Sequence, residues 1–208
     1  MPIIKIQRFD GSKKFFQQYA VRYEQNRSIM EYLLDIQLHL DATLGFEYSC
    51  RGGLCGACAL NVDGKPTLAC VQTLDSERLV EVSALNHLPL LKDLIVDRRS
   101  LHNKMQEVIS GVGVGNGFGQ QLPPDNLLER QLASCIKCNI CRSICPIAEQ
   151  EPDFFPAVFV GIQRSRLYSS DMAGTVLKNK AQKCLQCDLC SRYCPQRIDV
   201  AAAVACCR

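Results

Sequence analysis

No tryptophan occurs in this chain, histidine occurs only three times, and no apolar run is long enough to cross a bilayer. The longest apolar stretches, around Leu88 to Val96 and Val200 to Cys207, are shorter or more interrupted than the ~20 residues a spanning helix needs. Any membrane contact is therefore expected through another subunit. Charge of one sign is lacking too: 24 basic residues stand against 21 acidic ones, a net of +3 with no long basic run, which removes the electrostatic case for nucleic acid. His39, His87 and His102 lie away from every cysteine motif, so a surface or core-packing place rather than metal ligation is the expectation for each. No acid–base constellation marks a substrate site, and no catalytic residue is assigned. Neither a signal sequence nor an apolar leader follows Met1-Pro2, which points to a reducing, cytoplasmic setting and against a disulfide framework.

What the chain has instead is cysteine, fourteen residues of it. Cys135, Cys138, Cys141, Cys145-Pro146 and Cys184, Cys187, Cys190, Cys194-Pro195 both read C-x2-C-x2-C-x3-C-P. This run wraps a pair of cubane iron-sulfur clusters, with the fourth cysteine of each motif serving the other cluster. The crossover predicts two 4Fe-4S sets: Cys135, Cys138, Cys141 with Cys194, and Cys184, Cys187, Cys190 with Cys145. A zinc ribbon needs only two C-x2-C knuckles and leaves the further cysteines and prolines unexplained.

A third set lies upstream, Cys50, Cys55, Cys58 and, eleven residues further, Cys70. It has the plant-type C-x4-C-x2-C...C spacing of a 2Fe-2S cluster. Gly52, Gly53 and Gly56 suit a loop that bends sharply and brings backbone N–H groups to sulfur. Arg51 reads as added positive charge there, or equally as a solvated loop residue. Twelve cysteines are then used, and the remaining Cys206 and Cys207 sit at a terminus where fraying and unligated thiols are expected.

The remaining pattern predicts an α+β chain. Ile3 to Ile6 and Phe15 to Tyr23 read as strands around the turn Asp10-Gly11-Ser12, and Ser28 with Glu31 reads as a capping box opening a helix that runs to Leu40. Ala59 to Val62 and Thr67 to Val71 flank the hairpin signal Asp63-Gly64, and Leu79 to Val82 adds a strand. That order is a beta-grasp, plant-type 2Fe-2S ferredoxin-like domain, placed at residues 1–110 with a trailing helix from the helix-prone stretch Leu90 to Val108. A Gly/Pro-rich linker follows at 111–124. Residues 125–208 are read as an all-α ferredoxin-like domain holding the two cubanes, with helices at Asn126 to Ala133, Ala157 to Tyr168 and Thr175 to Gln182 joining the cysteine turns.

The motif order, the segment Leu88-Pro-Leu-Leu-Lys-Asp-Leu-Ile-Val-Asp97 and the paired C-x2-C-x2-C-x3-C-P runs together resemble the iron-sulfur subunit of the succinate dehydrogenase/fumarate reductase family over nearly the whole chain. The resemblance implies an electron relay between a FAD flavoprotein, which interconverts succinate and fumarate, and a second partner, usually quinone at a membrane anchor. It also implies a peripheral place on the inner face of the membrane. Most members hold a 3Fe-4S centre in the distal position and lack a cysteine at the place of Cys187. The cysteine here predicts a second 4Fe-4S cluster, with 3Fe-4S as the alternative. Quinone-reducing members usually place a tryptophan after the first motif and a histidine beside the first cysteine of the second. This chain has no tryptophan, and Leu185 follows Cys184. Those departures look like the branch that pairs with a cysteine-rich subunit resembling heterodisulfide reductase.

Two rival classes stay beside the leading one. The first is an electron wire for a different flavoenzyme, of heterodisulfide-linked, glycolate or lactate type. The second is a non-enzymatic module, a free ferredoxin or an interaction protein. Hydrogenase and respiratory electron-entry modules carry an additional histidine-cysteine site between the 2Fe-2S domain and the cubanes, and here no cysteine falls between Cys70 and Cys135.

Overall fold

Alternation of apolar residues makes the first strand. In β1 (Ile3–Phe9) Ile4, Ile6 and Arg8 face inward while their neighbours stay partly exposed, the period of two that a half-buried strand requires. The computed structural model describes residues 1–111, 127–166 and 175–208. β1 pairs antiparallel with β2 (Lys14–Ala20) across the Asp10 turn, where one Asp10 carboxylate oxygen accepts from the Ser12 and Lys13 amides. On its other side β1 runs parallel to β5 (Leu79–Ser83), which adjoins the hairpin β3 (Ala59–Val62) and β4 (Lys65–Leu68), for a sheet order of β2-β1-β5-β3-β4. Across it lies α1 (Ile29–Asp35), opened by Ser28 and Glu31 in a reciprocal capping box and carried on by one π turn, Ile36–Leu40. Ile29, Tyr32 and Leu33 of α1 meet Ile4, Ile6 and Val82 in the first core.

Arg8 points into that half of the molecule, and its guanidinium is met by Asp41 at 2.5 Å, the Tyr19 hydroxyl at 2.7 Å and the Thr43 hydroxyl at 2.8 Å, with Asp93 at 3.1 Å from Nε. Hydrogen bonds from Thr43 and then Tyr19, with Arg8 beside them, hold the Asp41 carboxyl far below the usual range. Burial, followed by Asp41, pushes Tyr19 up to about 12.

From Leu90 the structure departs from the expected helix. Leu90–Lys92 (β6) and Ile95–Val96 (β7) form a hairpin, and the helix α2 begins only at Arg98 and ends at Gly111. Asp93 is the reason: its backbone is left-handed at φ 47°, and its buried carboxylate accepts from Phe9 N at 2.9 Å and Gly45 N at 2.7 Å. The remainder is helical: α3 (Leu127–Ala133), α4 (Ile140–Ser143), α5 (Ile147–Gln150), α6 (Pro156–Arg166), α7 (Thr175–Gln182), α8 (Leu189–Arg192) and α9 (Val200–Ala205). α6 is the hub, packing on α2, α3, α4 and α9 around Phe155, Phe159, Ile162 and Val204. Leu101 of α2 joins this second core. The α+β class thus holds, sheet first and helices after. The linker expected at 111–124 falls, beyond Gly111, outside the described residues, as does the end of the helix expected at Tyr168.

Candidate iron-sulfur centres

The loop from Tyr48 to Cys58 turns its amides toward sulfur. Gly52 N and Leu54 N lie 3.4 and 3.3 Å from Cys50 Sγ, while Cys50 N and Ala57 N each lie 3.5 Å from Cys55 Sγ. The Gly52 and Leu54 amides favour thiolate over thiol at Cys50 and bring it down to about 7. Cys58, buried at the start of β3, is pushed the other way, up to about 11, chiefly by burial; it hydrogen-bonds Cys70 and senses Cys55. Cys50, Cys55, Cys58 and Cys70 are therefore one group of neighbours. Arg51 is exposed, with its guanidinium 5.4 Å from the Tyr48 ring, which fits the solvated-loop reading.

The two later motifs share a backbone as well as a spacing. Lys137 and Asn139 have φ of 53° and 65°, and their counterparts Gln186 and Asp188 have 55° and 60°. Left-handed residues at matching places curl each C-x2-C segment before a four-residue helix, α4 or α8, carries the third cysteine. Cys135, Cys138, Cys141 and Cys194 line one hollow of about 380 Å³. Cys145, Cys184, Cys187 and Cys190 line a second, of about 370 Å³. Each hollow thus takes three cysteines from one motif and the fourth from the other.

The donor set and its shape fit clusters. Among the described residues cysteine sulfur is the only soft donor at either hollow, which selects iron-sulfur or zinc. Four cysteines at each hollow, three from one motif and one from the other, is the arrangement that paired cubane clusters take. Burial lifts the thiols: Cys138 to about 11, Cys190 to about 12, Cys141 well above its ordinary value, and Cys135 and Cys145 in the same direction. Thiols that resist ionisation when empty release protons as metal arrives, so loading and folding are coupled. Cys207 is buried in the second core and Cys206 is exposed; neither lines a hollow. His39 is exposed, and neither His87 nor His102 reaches a hollow.

The first loop touches the first hollow. A Cβ on Gly56, at φ +74°, would stand 2.8 Å from Cys138 Cβ, so only glycine allows this approach. Arg98 crosses the same seam, donating to the Ala57 and Ala59 carbonyls at 3.2 Å each and to the Cys138 carbonyl at 2.9 Å. Gln196, two residues after Cys194, donates to the Gly53 carbonyl at 3.2 Å.

The comparisons with known proteins agree with this geometry. A family profile described as a 2Fe-2S iron-sulfur cluster binding domain matches residues 3–103, and one described as a 4Fe-4S dicluster domain matches residues 131–198. The fumarate reductase iron-sulfur subunit of Mycobacterium tuberculosis is 32% identical over 205 residues, covering 91% of this chain and 83% of the relative. This chain belongs to the succinate dehydrogenase/fumarate reductase iron-sulfur subunit family. Another relative, a fumarate reductase (CoM/CoB) subunit of Methanothermobacter marburgensis, is 27% identical; the match covers 76% of this chain and 32% of that protein. The solved Mycobacterium smegmatis Sdh1 complex contains a chain of the same fold, with TM-score 0.79 at 20% identity, covering 96% of this chain and 90% of that one.

Two residues of the iron-sulfur subunit escaped the reading of its sequence. Arg98 ties the first loop to Cys138 through backbone carbonyls, which leave no mark in sequence. Arg142, inside the first motif, is 5% exposed and donates to the carbonyls of His87, Phe154 and Pro152 at 3.0, 2.7 and 2.8 Å. Its place between Cys141 and Cys145 was the one visible signal.

Proposed function

We propose that this chain is the electron-transfer subunit of a succinate/fumarate oxidoreductase complex, linking a FAD-containing flavoprotein to a second redox partner and holding no substrate site of its own. In this reading Cys50, Cys55, Cys58 and Cys70 hold a 2Fe-2S cluster. Cys135, Cys138, Cys141 and Cys194 hold a 4Fe-4S cluster, and Cys145, Cys184, Cys187 and Cys190 hold a second one. The clusters, when bound, supply one-electron transfer without bond making or breaking. The protein's part is to grip them in a row and keep water from the middle. The supporting observation is contiguity: the Gly56 approach to Cys138 joins the first loop to the first hollow, and the two hollows share cysteines across motifs.

For the second partner we favour a cysteine-rich, thiol- or heterodisulfide-linked subunit over a quinone-binding membrane anchor. Leu185, exposed beside Cys184, stands where a histidine is expected in quinone-reducing members; tryptophan is absent; and the Methanothermobacter relative carries the CoM/CoB name. Among the described residues no helix is long and apolar enough to cross a membrane, which suits a cytoplasmic or peripheral place reached through partners.

Anaerobic purification of the complex tests this. About ten irons per chain, from one binuclear and two four-iron centres, a copurifying flavoprotein, and turnover with succinate or fumarate are expected. EPR of the as-isolated protein should lack a 3Fe-4S signal, since Cys187 completes the second set. Zinc in place of iron, or turnover only with glycolate, lactate or another substrate, overturns the assignment. A haem-bearing helical anchor with no cysteine-rich subunit overturns the partner.

A further inference from the structure

Each cubane motif carries one arginine in the spacer between its third and fourth cysteines, and the two are treated oppositely. Arg192 has a side chain 67% exposed and lies 3.5 Å from the Asp188 carboxylate, a solvated surface pair. Arg142 is buried, and its partners are three carbonyls and the face of Phe155, 4.4 Å from the ring centroid. Carbonyls satisfy its N–H groups without cancelling its charge. Among the described residues no carboxylate lies within ion-pair distance of it; Asp153 acts on it only from further off. A buried, unneutralised charge is costly unless something of opposite sign faces it. Cysteines of both hollows flank it: Cys141 of the first precedes it, Cys145 of the second follows three residues on, and Phe154, whose carbonyl it holds, lines the second hollow; Cys145, then Asp153, then Cys141 act on its charge.

We propose that Arg142 is the shared counter-charge of the two cubane sites, fixed between them so that the reduced state of both is favoured. The inference rests on the cluster assignment above. Four thiolates around a 4Fe-4S core leave a net negative charge that grows by one when an electron enters; one electron arrives, none is shared with Arg142, and no proton moves. A fixed positive charge in a low-dielectric setting stabilises the more negative state, and net charge is among the determinants of cluster potential. Arg142 is a positioning residue acting through the field, and its planar head also clamps two loops, one at His87 and one at Pro152 and Phe154.

The test is a potentiometric titration of the assembled complex followed by EPR, after iron analysis. Arg142→Gln keeps amide donors for the carbonyls and removes the charge. At a fixed poise the reduced-to-oxidised ratio of the cluster on Cys145, Cys184, Cys187 and Cys190 should fall about tenfold, equivalent to about 59 mV for one electron. The cluster on Cys135, Cys138, Cys141 and Cys194 should move in the same direction by about threefold, and the 2Fe-2S centre should stay in place. Arg142→Lys keeps the charge and loses the clamp, so its ratios should stay within about twofold of the parent while its thermal stability drops. Asp153→Asn, at an exposed position, should raise the distal ratio about twofold and covers the case in which Arg142→Gln does not assemble. Lysine shifting the ratios as far as glutamine, or Asp153→Asn leaving them unmoved, overturns the proposal and reduces Arg142 to a structural clamp. Iron far below about ten per chain sinks the cluster assignment itself, a separate failure.

Discussion

The two halves of this subunit are stabilised by different things. The first has strands of up to seven residues, a capped helix and a core of large aliphatic side chains that would cohere without any cofactor. In the second, α4, α5 and α8 have four residues each, far below the ~12–15 at which a helix persists unaided. Cysteine turns between those helices are organised by what they grip. The contrast leads to the expectation that the first half is shaped by its chain alone, while the short helices of the second depend on the clusters as well as on the core around Phe159 and Ile162. A further contrast lies within the helical half: every residue of α4, beside the first hollow, is buried, and none of α8, beside the second, is. The cysteines follow the same trend: Cys138 and Cys141 of the first hollow are buried, whereas of the second set only Cys145 is buried and Cys187 is exposed.

The largest expected effect separates the halves outright. Anaerobic removal of iron should strip hydrogen-exchange protection from the amides around α4, α5, α8 and α9 by about 10³-fold or more, equivalent to about 4 kcal/mol. The strands β1, β3 and β5 should keep theirs. Uniform loss over both halves would show that the sheet also depends on its cluster. Retention over both would show that the helical core around Phe159 and Ile162 suffices alone.

A smaller effect is expected at the seam. Gly56→Ala sets a methyl against Cys138 Cα and Cβ and the Ile136 carbonyl at 3.0, 2.8 and 3.2 Å, atoms held by backbone and by a cage, and it strains a left-handed position. Overpacking and backbone strain together cost about 3 kcal/mol, or roughly 6–12 °C of melting temperature for a chain of this size. Gly64→Ala is the control: φ is +75° and nothing lies within 4 Å of the new methyl, so only the strain of about 1 kcal/mol remains. Equal melting shifts for the two would show that the seam yields freely.

Legibility in the sequence divides along the same line. The cysteine spacing pointed to the three thiols that each motif brings together, a local property, whereas the crossing of Cys194 and Cys145 into the other motif's hollow is long-range and was legible only through the pairing of the two motifs. The Ser28–Glu31 box and the Asp63-Gly64 turn were equally local. Leu90 to Val96 misled, since its apolar spacing suits a helix until Asp93 finds Phe9 N and Gly45 N, 84 and 48 residues away in the chain. Arg98 was silent and Arg142 was marked only by its place in the motif, because, the Glu47 contact of Arg98 apart, their partners are carbonyls, common to every residue type. The succession of strands, helix, loop and hairpin along the first half followed from the pattern of apolar residues and turns; the seam at Gly56 required knowing that Cys138 would be there.

The smallest effect belongs to the sheet half alone and depends on pH. Asp41 is held below the usual carboxylate range by Thr43, Tyr19 and Arg8. A carboxylate whose folded pKa is depressed contributes stability that is complete above its unfolded value of about 3.9 and is lost as pH falls toward the folded value. Asp41→Asn removes that contribution, while Arg8 keeps Asp93 at 3.1 Å, so the loss at pH 7 is expected to be only about 1–2 kcal/mol. The gap between parent and variant should narrow as pH falls below about 4, because Asp41 of the parent's unfolded state then takes up a proton while the folded carboxylate, held lower, stays ionised. Exchange of the β1 and β2 amides at pH 7 and in mild acid measures both limbs. Amides around α4 and α8 should not respond. A gap that stays constant with pH would mean that Asp41 acts through packing and hydrogen bonding rather than through its charge beside Arg8.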